Sequence, residues 1–234
     1  MSNKQIYCDN DMKIRKYCPH HSYGSYVDIG NIRCYNKRLK GGDLVKGQYH
    51  HGNLKHDLIE FAIQTISEEG PERLSLRNIS KQCGVSHNAI YRHFAGKDEL
   101  MAACQEYVTE CLTGFLTQAI EGKDEAEPET ITALSYAYIT FFREHPTYFR
   151  FLYHSTAPCK IIFTMDEIEG NYPPFELFRK LATALTARYD MTKEAGLKRL
   201  VKYWAVMEGI ISMMISSVVE LDGDWTDYLE NIFD

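Results

Sequence analysis

Residues 75–94 read SLRNISKQCGVSHNAIYRHF and hold three cations, Arg77, Lys81 and Arg92, with no carboxylate, in a 234-residue chain whose formal net charge is −6. Leu76 and Ile79 give one short apolar turn after Ser75, Gly84 interrupts, and Ile90 and Phe94 give another after Ser86. The two serines stand where helix N-caps are expected. This spacing predicts two short helices joined through Cys83-Gly84-Val85, a helix-turn-helix. Glycine supplies the positive φ of the turn, while Ile79, Val85 and Ile90 face inward and hold the angle. The second helix then projects its other face: Ser86, His87, Asn88, Tyr91, Arg92 and His93 all hydrogen-bond, which suits a recognition helix in a major groove. A carboxylate on that face would meet phosphates carrying one charge per roughly 1.7 Å of duplex. Exclusion of anions is what such a contact requires.

Outward from this stretch, charge is divided unevenly. Residues 1–44 hold eight cations and four carboxylates, residues 45–98 seven and six, and residues 99–234 eleven and twenty-two, so the net values are +4, +1 and −11. Within the middle block Arg73, Arg77, Lys81, Arg92 and Lys97 follow one another without a carboxylate. One local surface is therefore positive although the molecule as a whole repels polyanions, a partial footprint for nucleic acid.

The remaining periodicity is helical throughout. Leu54, Leu58, Ala62 and Ile66 recur every four residues, widened by Ile59 and Ile63, and Gly70-Pro71 ends that helix. A longer helix starts at Lys97 and runs past Leu100, Cys104, Val108, Cys111 and Phe115. The acidic stretch 121–129 reads as a linker, with Pro128 suited to open the next helix, which His145-Pro146 stops near Glu144. A short helix carries Tyr148, Phe149, Leu152 and Tyr153; 157–174 reads as a loop with some packed side chains. Helices near 174–189 and 193–220 and a short tail helix around Trp225 complete the chain. No run reads as a sheet, so the predicted class is all-α: a DNA-binding domain over 45–98 and a second helical domain over 99–234.

Composition narrows the function classes. Apolar residues make up 44% of the chain, enough for a core, and no run is long and apolar enough to span a membrane. Without a signal-peptide pattern, a cytoplasmic protein is expected. Seven cysteines at irregular spacings, without a C-x-x-C pair, argue for free buried thiols over a disulfide framework or a zinc ribbon. Cys8, Cys18, His20, His21 and Cys34 fit no tetrahedral ligand pattern. Residues 1–44 lack any period. Lys40-Gly41-Gly42-Asp43 can be encoded by a ribosome-binding sequence, and Val45 follows at the spacing of a GTG start codon, so 1–44 are expected to be a disordered arm or a translated leader.

Leu74-Ser75-Leu76-Arg77-Asn78-Ile79, Cys83-Gly84-Val85-Ser86, Ile90-Tyr91-Arg92-His93-Phe94 and Lys97-Asp98-Glu99-Leu100 together resemble the TetR family of bacterial transcriptional regulators, over about 51–112. The resemblance implies that Ser75, Arg77, Ser86, Tyr91, His93 and Lys97 touch phosphates, while His87, Asn88 and Arg92 address base edges. Ser80 and Cys83 replace the alanines common in the family. His50-His51-Gly52-Asn53-Leu54, the stretch 141–150 (FFREHPTYFR) and Trp204 to Gly209 (WAVMEG) look like the subgroup with a WHG-type regulatory domain, with Glu208 where that subgroup usually has histidine.

In the penultimate helix Leu197, Val201, Trp204, Glu208, Ile211, Ile215 and Val218 form a seam that calls for a partner helix. The preceding helix adds Phe175, Phe178, Leu181, Ala182 and Leu185, so two helices from each of two protomers form a four-helix interface, matching how the family dimerises; a purely intrachain core is the alternative. A homodimer is also what a palindromic operator demands, its half-sites lying about 34–36 Å apart. Glu208 falls on the apolar stripe, where an unpaired carboxylate is costly; it meets an effector, meets the other protomer, or stays wet. Tyr136, Tyr138, Phe141, Phe142, Phe149, Tyr153 and Phe178 either line an effector cavity or fill a core. The candidate effector residues are Tyr138, Phe142, Phe149, Tyr153, Phe178, Trp204 and Glu208. His145 and His154 have no evident third ligand, so neither metal nor cofactor is called for. The chain lacks a Gly-rich phosphate loop, G-x-S-x-G or H-E-x-x-H, and Asp166-Glu167 alone is no catalytic constellation, so an enzyme is not expected. The reading is a ligand-responsive DNA-binding regulator, a repressor released from double-stranded DNA when a small-molecule effector tilts the helix shared by both domains. The competing class is a small-molecule-binding helical protein without DNA-binding activity.

Overall fold

The computed structural model describes residues 54–154, 160–216, 219–220, 222–223, 229 and 232–233. The arm or leader at 1–44, the 50–53 segment, Cys159, Val218 and Trp225 lie outside the described residues. Within them the chain is all helical: eight α-helices, one 3-10 turn over Pro71–Arg73 and no strand. The helices are α1 (Leu54–Glu69), α2 (Leu76–Gln82), α3 (His87–Ile90), α4 (Lys97–Ile120), α5 (Pro128–Glu144), α6 (Pro146–His154), α7 (Pro173–Arg188) and α8 (Lys193–Ile215). No helix is long and apolar enough to cross a membrane among the described residues.

Helix ends follow local chemistry. Gly70 at φ +89° closes α1 ahead of Pro71. Pro128 and Pro173 occupy first-turn positions in α5 and α7, where a missing N–H costs nothing. His145, held outside the α region by Pro146, separates α5 from α6. The last long helix is shorter than its periodicity predicts, ending at Ile215 instead of near Glu220. Ser216-Ser217-Val218-Val219 follows, and serine and β-branched residues are weak helix formers.

The packing order makes one continuous core. α1 lies against α4 and α6, α4 against α5 and α7, and α8 against α5 and α7. Leu58, Ile66, Leu100, Phe142, Phe178 and Ile211 all belong to it. The N-terminal helices therefore touch the C-terminal half at two places: through the shared α4 and through α6. At the second, the Tyr148 hydroxyl of α6 donates to Glu60 Oε1 of α1 at 2.7 Å. His56 Nε2 and the Tyr107 hydroxyl share a 3.0 Å hydrogen bond nearby.

Two segments that read as solvated or loose are fixed by side chains. The acidic linker is tied to α7: Arg188 pairs with Glu127 at 2.7 Å and Asp124 at 3.5 Å, and Lys180 pairs with Glu125. The irregular stretch before α7 is organised by buried Asn171. Its Oδ1 accepts from the Ile162 and Tyr172 N–H groups, while its Nδ2 donates to the Ile162 carbonyl and to Glu176. Gly196 marks the close crossing of α7 and α8, since a Cβ built there would stand 2.2 Å from Thr186 Oγ1.

Candidate functional site

The turn between α2 and α3 is a Schellman motif. Gly84, at φ +68°, directs its N–H to the Lys81 carbonyl at 3.1 Å, and the Val85 N–H reaches the Ser80 carbonyl at 2.9 Å. Ile79 and Ile90 are fully buried beneath the turn and Val85 is half-buried. Ser80 is buried and returns its hydroxyl to the Arg77 carbonyl at 3.0 Å, so it fits where alanine is common. Ser75 and Ser86 occupy N-cap positions with extended backbones, but neither side chain caps its own helix. This corrects the expected capping role; both hydroxyls remain open to other partners.

α3 is a single turn, followed by a turn over Tyr91 to His93 that continues its surface. Ser86, His87, Asn88, Tyr91 and Arg92 are exposed, Tyr91 by 48%, and His93 and Ser75 are half-buried. His87 and Tyr91 meet edge to face at 5.0 Å between ring centres, which orients both. Arg77, Lys81 and Arg92 are exposed, and no carboxylate pairs with them among the described residues. Lys97 differs. It is half-buried, and its Nζ donates to the Pro71 carbonyl at 2.6 Å, fixing the start of α4 to the turn after α1. An ammonium has three donors, so the charge stays available beside that bond. The result is an outward, cationic face with hydrogen-bonding groups at its centre.

The model for bacterial regulatory proteins of the tetR family matches residues 58–104. Residues 58–104 are thus similar to a TetR-family domain. A nucleoid occlusion factor SlmA of Actinobacillus pleuropneumoniae is 34% identical over 86 residues, 37% of this chain and 42% of that protein. The chain thus spans about two fifths of the length of that relative. The HTH-type transcriptional regulator Rv0681 of Mycobacterium tuberculosis is 19% identical over 198 residues, 81% of this chain and 85% of that protein. A solved structure of a protein of unknown function from Rhodococcus sp. RHA1 superposes with a TM-score of 0.56 at 24% identity, over 79% of this chain and 96% of that one. That likeness is one of fold, and it extends well beyond residues 58–104.

Behind that domain, the seven residues singled out for an effector do converge. Tyr138 and Phe142 of α5, Phe149 and Tyr153 of α6, Phe178 of α7 and Trp204 of α8 form a connected set of aromatic contacts, with ring centres 4.5–6.0 Å apart. All but Tyr153 are buried, so the rings fill much of the space between them; Tyr153 is 60% exposed. Glu208 enters this group from α8. Its Oε1 accepts from the Tyr138 hydroxyl at 2.6 Å and its Oε2 from the Tyr153 hydroxyl. Burial, reinforced by the Glu208 charge, holds the Tyr138 phenol well above its ordinary pKa, so it stays a donor. The partner that a carboxylate on an apolar stripe requires is this pair of phenols.

The dimer seam read from the sequence divides. Trp204 and Ile211, with Phe175, Phe178, Leu181, Ala182 and Leu185, are buried inside the chain and cannot also face a partner. They turn toward α5 because α8 lies across both α5 and α7. Val201 of the same seam is exposed, and with Ala205, Gly209 and Ser212, also exposed, it leaves a stripe outside; a Cβ at Gly209 would touch nothing within 4 Å.

A groove of about 390 Å³ between α5, α7 and α8 was not anticipated; Ile131, Leu185, Met191, Arg199, Tyr203 and Phe233 contribute to its walls. Each lies on a different turn or element, so local periodicity carries no signal of it. Of the cysteines, Cys83, Cys104 and Cys111 are outside any disulfide. Burial pushes Cys83 up to about 12, with Asp57 adding to the shift, so its thiol stays protonated and unreactive. His145 is stacked on Tyr148 at 5.1 Å, and among the described residues no three His, Cys, Asp or Glu side chains converge as metal ligands. Asp166 is an exposed ion-pair partner of Lys193 at 2.5 Å, whose hydrogen bond and charge hold its carboxyl below the usual range.

Proposed function

We propose that this chain is a homodimeric, ligand-responsive DNA-binding transcriptional regulator that releases its operator when a small molecule binds the C-terminal half. One observation carries this reading: the α2–α3 face offers Arg77, Lys81 and Arg92 without carboxylate partners around exposed His87, Asn88 and Tyr91, on a turn whose core is fully buried. His87, Asn88 and Arg92 address base edges; Ser75, Arg77, Ser86, Tyr91, His93 and Lys97 contact phosphates. The uncapped hydroxyls of Ser75 and Ser86 support the phosphate role, since they have no competing bond to their own helices. The domain division at about residue 98 and the WHG-type assignment of the C-terminal half belong to the same proposal.

Dimerisation places two such faces about 34–36 Å apart on one side of a duplex. The exposed stripe Val201, Ala205, Gly209 and Ser212 supplies the surface, because its three small residues, with open space at Gly209, let a second α8 approach closely. The aromatic group around Glu208 is the effector region, and repression is the mode that release implies. α6 connects that region to α1 through Tyr148 and Glu60, and α4 connects it directly. An effector that moves α6 or α4 thereby changes the separation of the two recognition faces, and a coupling of about 1–3 kcal/mol suffices to regulate. Selection of bound fragments from random duplex DNA, followed by sedimentation of the complex, tests this. A palindromic consensus bound by two chains supports the reading; no enrichment at low ionic strength overturns it.

A further inference from the structure

We propose that the groove between α5, α7 and α8 is a second small-molecule site, which takes a carboxylate carried on an apolar body and anchors it through Arg199. None of the seven residues assigned to the effector region lines this groove, so the site stands apart from the one around Glu208. Its walls are apolar where the three helices meet: Ile131 of α5, Leu185 of α7 and Leu200 of α8 are all buried. Tyr203 of α8 and Phe233 of the C-terminal tail add an aromatic wall, their rings stacked at 5.3 Å and 10° apart in plane. The Tyr203 hydroxyl donates to the Phe233 carbonyl at 3.1 Å, which holds that wall in place. Surface of this kind receives the apolar body of a ligand and leaves its orientation to a few polar groups.

Charge selects the other end of the ligand. Residues 99–234 hold eleven cations and twenty-two carboxylates, yet among the described residues no acidic side chain lines the groove, and Arg199 does. Arg199 is exposed, and among the described residues no carboxylate pairs with it. Its Nη1 is directed at Met191 Sδ, 3.7 Å away, and a thioether is a weak acceptor. A guanidinium holds its donors in a fixed fork that matches a carboxylate edge to edge, so a carboxylate ligand takes the place that sulfur fills poorly. The volume bounds the size of that ligand. At the ~30 Å³ a water-sized group occupies in a liquid, about 390 Å³ admits about a dozen non-hydrogen atoms. Access is compatible with the proposed dimer. Arg199 and Tyr203 stand two residues from Val201 and Ala205, which at about 3.6 residues per turn is the opposite side of α8 from the exposed stripe. A second α8 on that stripe leaves the groove open.

The test is calorimetric titration of the full chain with 4-phenylbutyrate, 4-phenylbutan-1-ol and 4-phenylbutylamine, three compounds that share one apolar body and differ in the charge of its end. The carboxylate is expected to bind about tenfold tighter than the alcohol, the scale of one charge-assisted hydrogen bond, with the amine weakest. Arg199→Gln is expected to weaken the carboxylate by about tenfold and to change the alcohol by less than about twofold. Thr132→Trp fills the groove from α5 and is expected to weaken carboxylate and alcohol alike. No binding of the carboxylate at millimolar concentration, or equal binding of all three compounds, overturns the proposal on the unmodified chain without reliance on any variant. So does an Arg199→Gln protein of unchanged circular dichroism that keeps full affinity for the carboxylate. A correctly folded Thr132→Trp protein that binds both compounds as before places them outside the groove and overturns it equally.

Discussion

The division of labour between base and phosphate contacts is testable at two residues that the structure treats differently. Arg92 is exposed and without a carboxylate partner, whereas Lys97 is half-buried with its ammonium on the Pro71 carbonyl at 2.6 Å. Arg92→Lys keeps the charge but loses the planar fork. A bidentate pair with a guanine edge is worth about 1–3 kcal/mol of discrimination, and a dimer makes it twice, so specific binding should weaken by about 2–6 kcal/mol. Its salt dependence should stay unchanged. Lys97→Gln removes one cation per protomer, lowering the slope of log K against log salt by about 0.9 for each phosphate lost, roughly 1.8 for the dimer. Because the Pro71 carbonyl also loses its donor, Lys97→Gln should cost stability by about 1 kcal/mol, which Arg92→Lys should not. Fluorescence anisotropy with a selected duplex and a scrambled one, from low to physiological salt, reads both effects. Equal losses on the two duplexes for Arg92→Lys, or an unchanged slope for Lys97→Gln, would refute these assignments.

Gly196→Ala should destabilise the fold by about 1–3 kcal/mol, because its Cβ would stand 2.2 Å from Thr186 Oγ1. Adding Thr186→Ala should recover most of that loss in urea unfolding, whereas additive losses would place the strain elsewhere. Tyr148→Phe removes the 2.7 Å hydrogen bond to Glu60 and should lower stability by about 1.5 kcal/mol, measured from the urea midpoint. His145 is half-buried against Tyr148 and desolvation pushes its pKa down, so the unfolded chain binds its proton first. Its contribution is undiminished above about pH 6.5 and is lost as pH falls toward the depressed folded value. The urea midpoint of His145→Phe should therefore fall less between pH 7.5 and pH 5.5 than that of the unmodified chain.

How much was legible in the sequence can be seen residue by residue. The helix over 54–69, the break at Gly84, the stop at His145 and the first-turn role of Pro128 follow from local periodicity and backbone sterics, which neighbouring residues set. The outward face of α3 was legible for the same reason, since Ile79 and Ile90 had to be inside. Capping by Ser75 and Ser86 was only half right: the backbone takes the cap conformation while the hydroxyls do not make the bond. The seam on α8 divided because a single periodicity cannot tell an intrachain neighbour from a partner chain. Trp204 and Ile211 are as apolar as interface residues and are used inside.

By itself, then, the sequence determined the all-helical class, the position of the helix-turn-helix and the sign of its surface charge, because each depends on residues within a turn or two of one another. The tertiary structure decided what meets across long intervals. It set Tyr138 and Tyr153 on Glu208, Tyr148 on Glu60 and Arg188 on the acidic linker. Those pairings are separated by tens of residues, and they exist only because α6 and α8 cross the rest of the chain where they do. Hydrophobic burial fixes that crossing, and the polar partners follow from it.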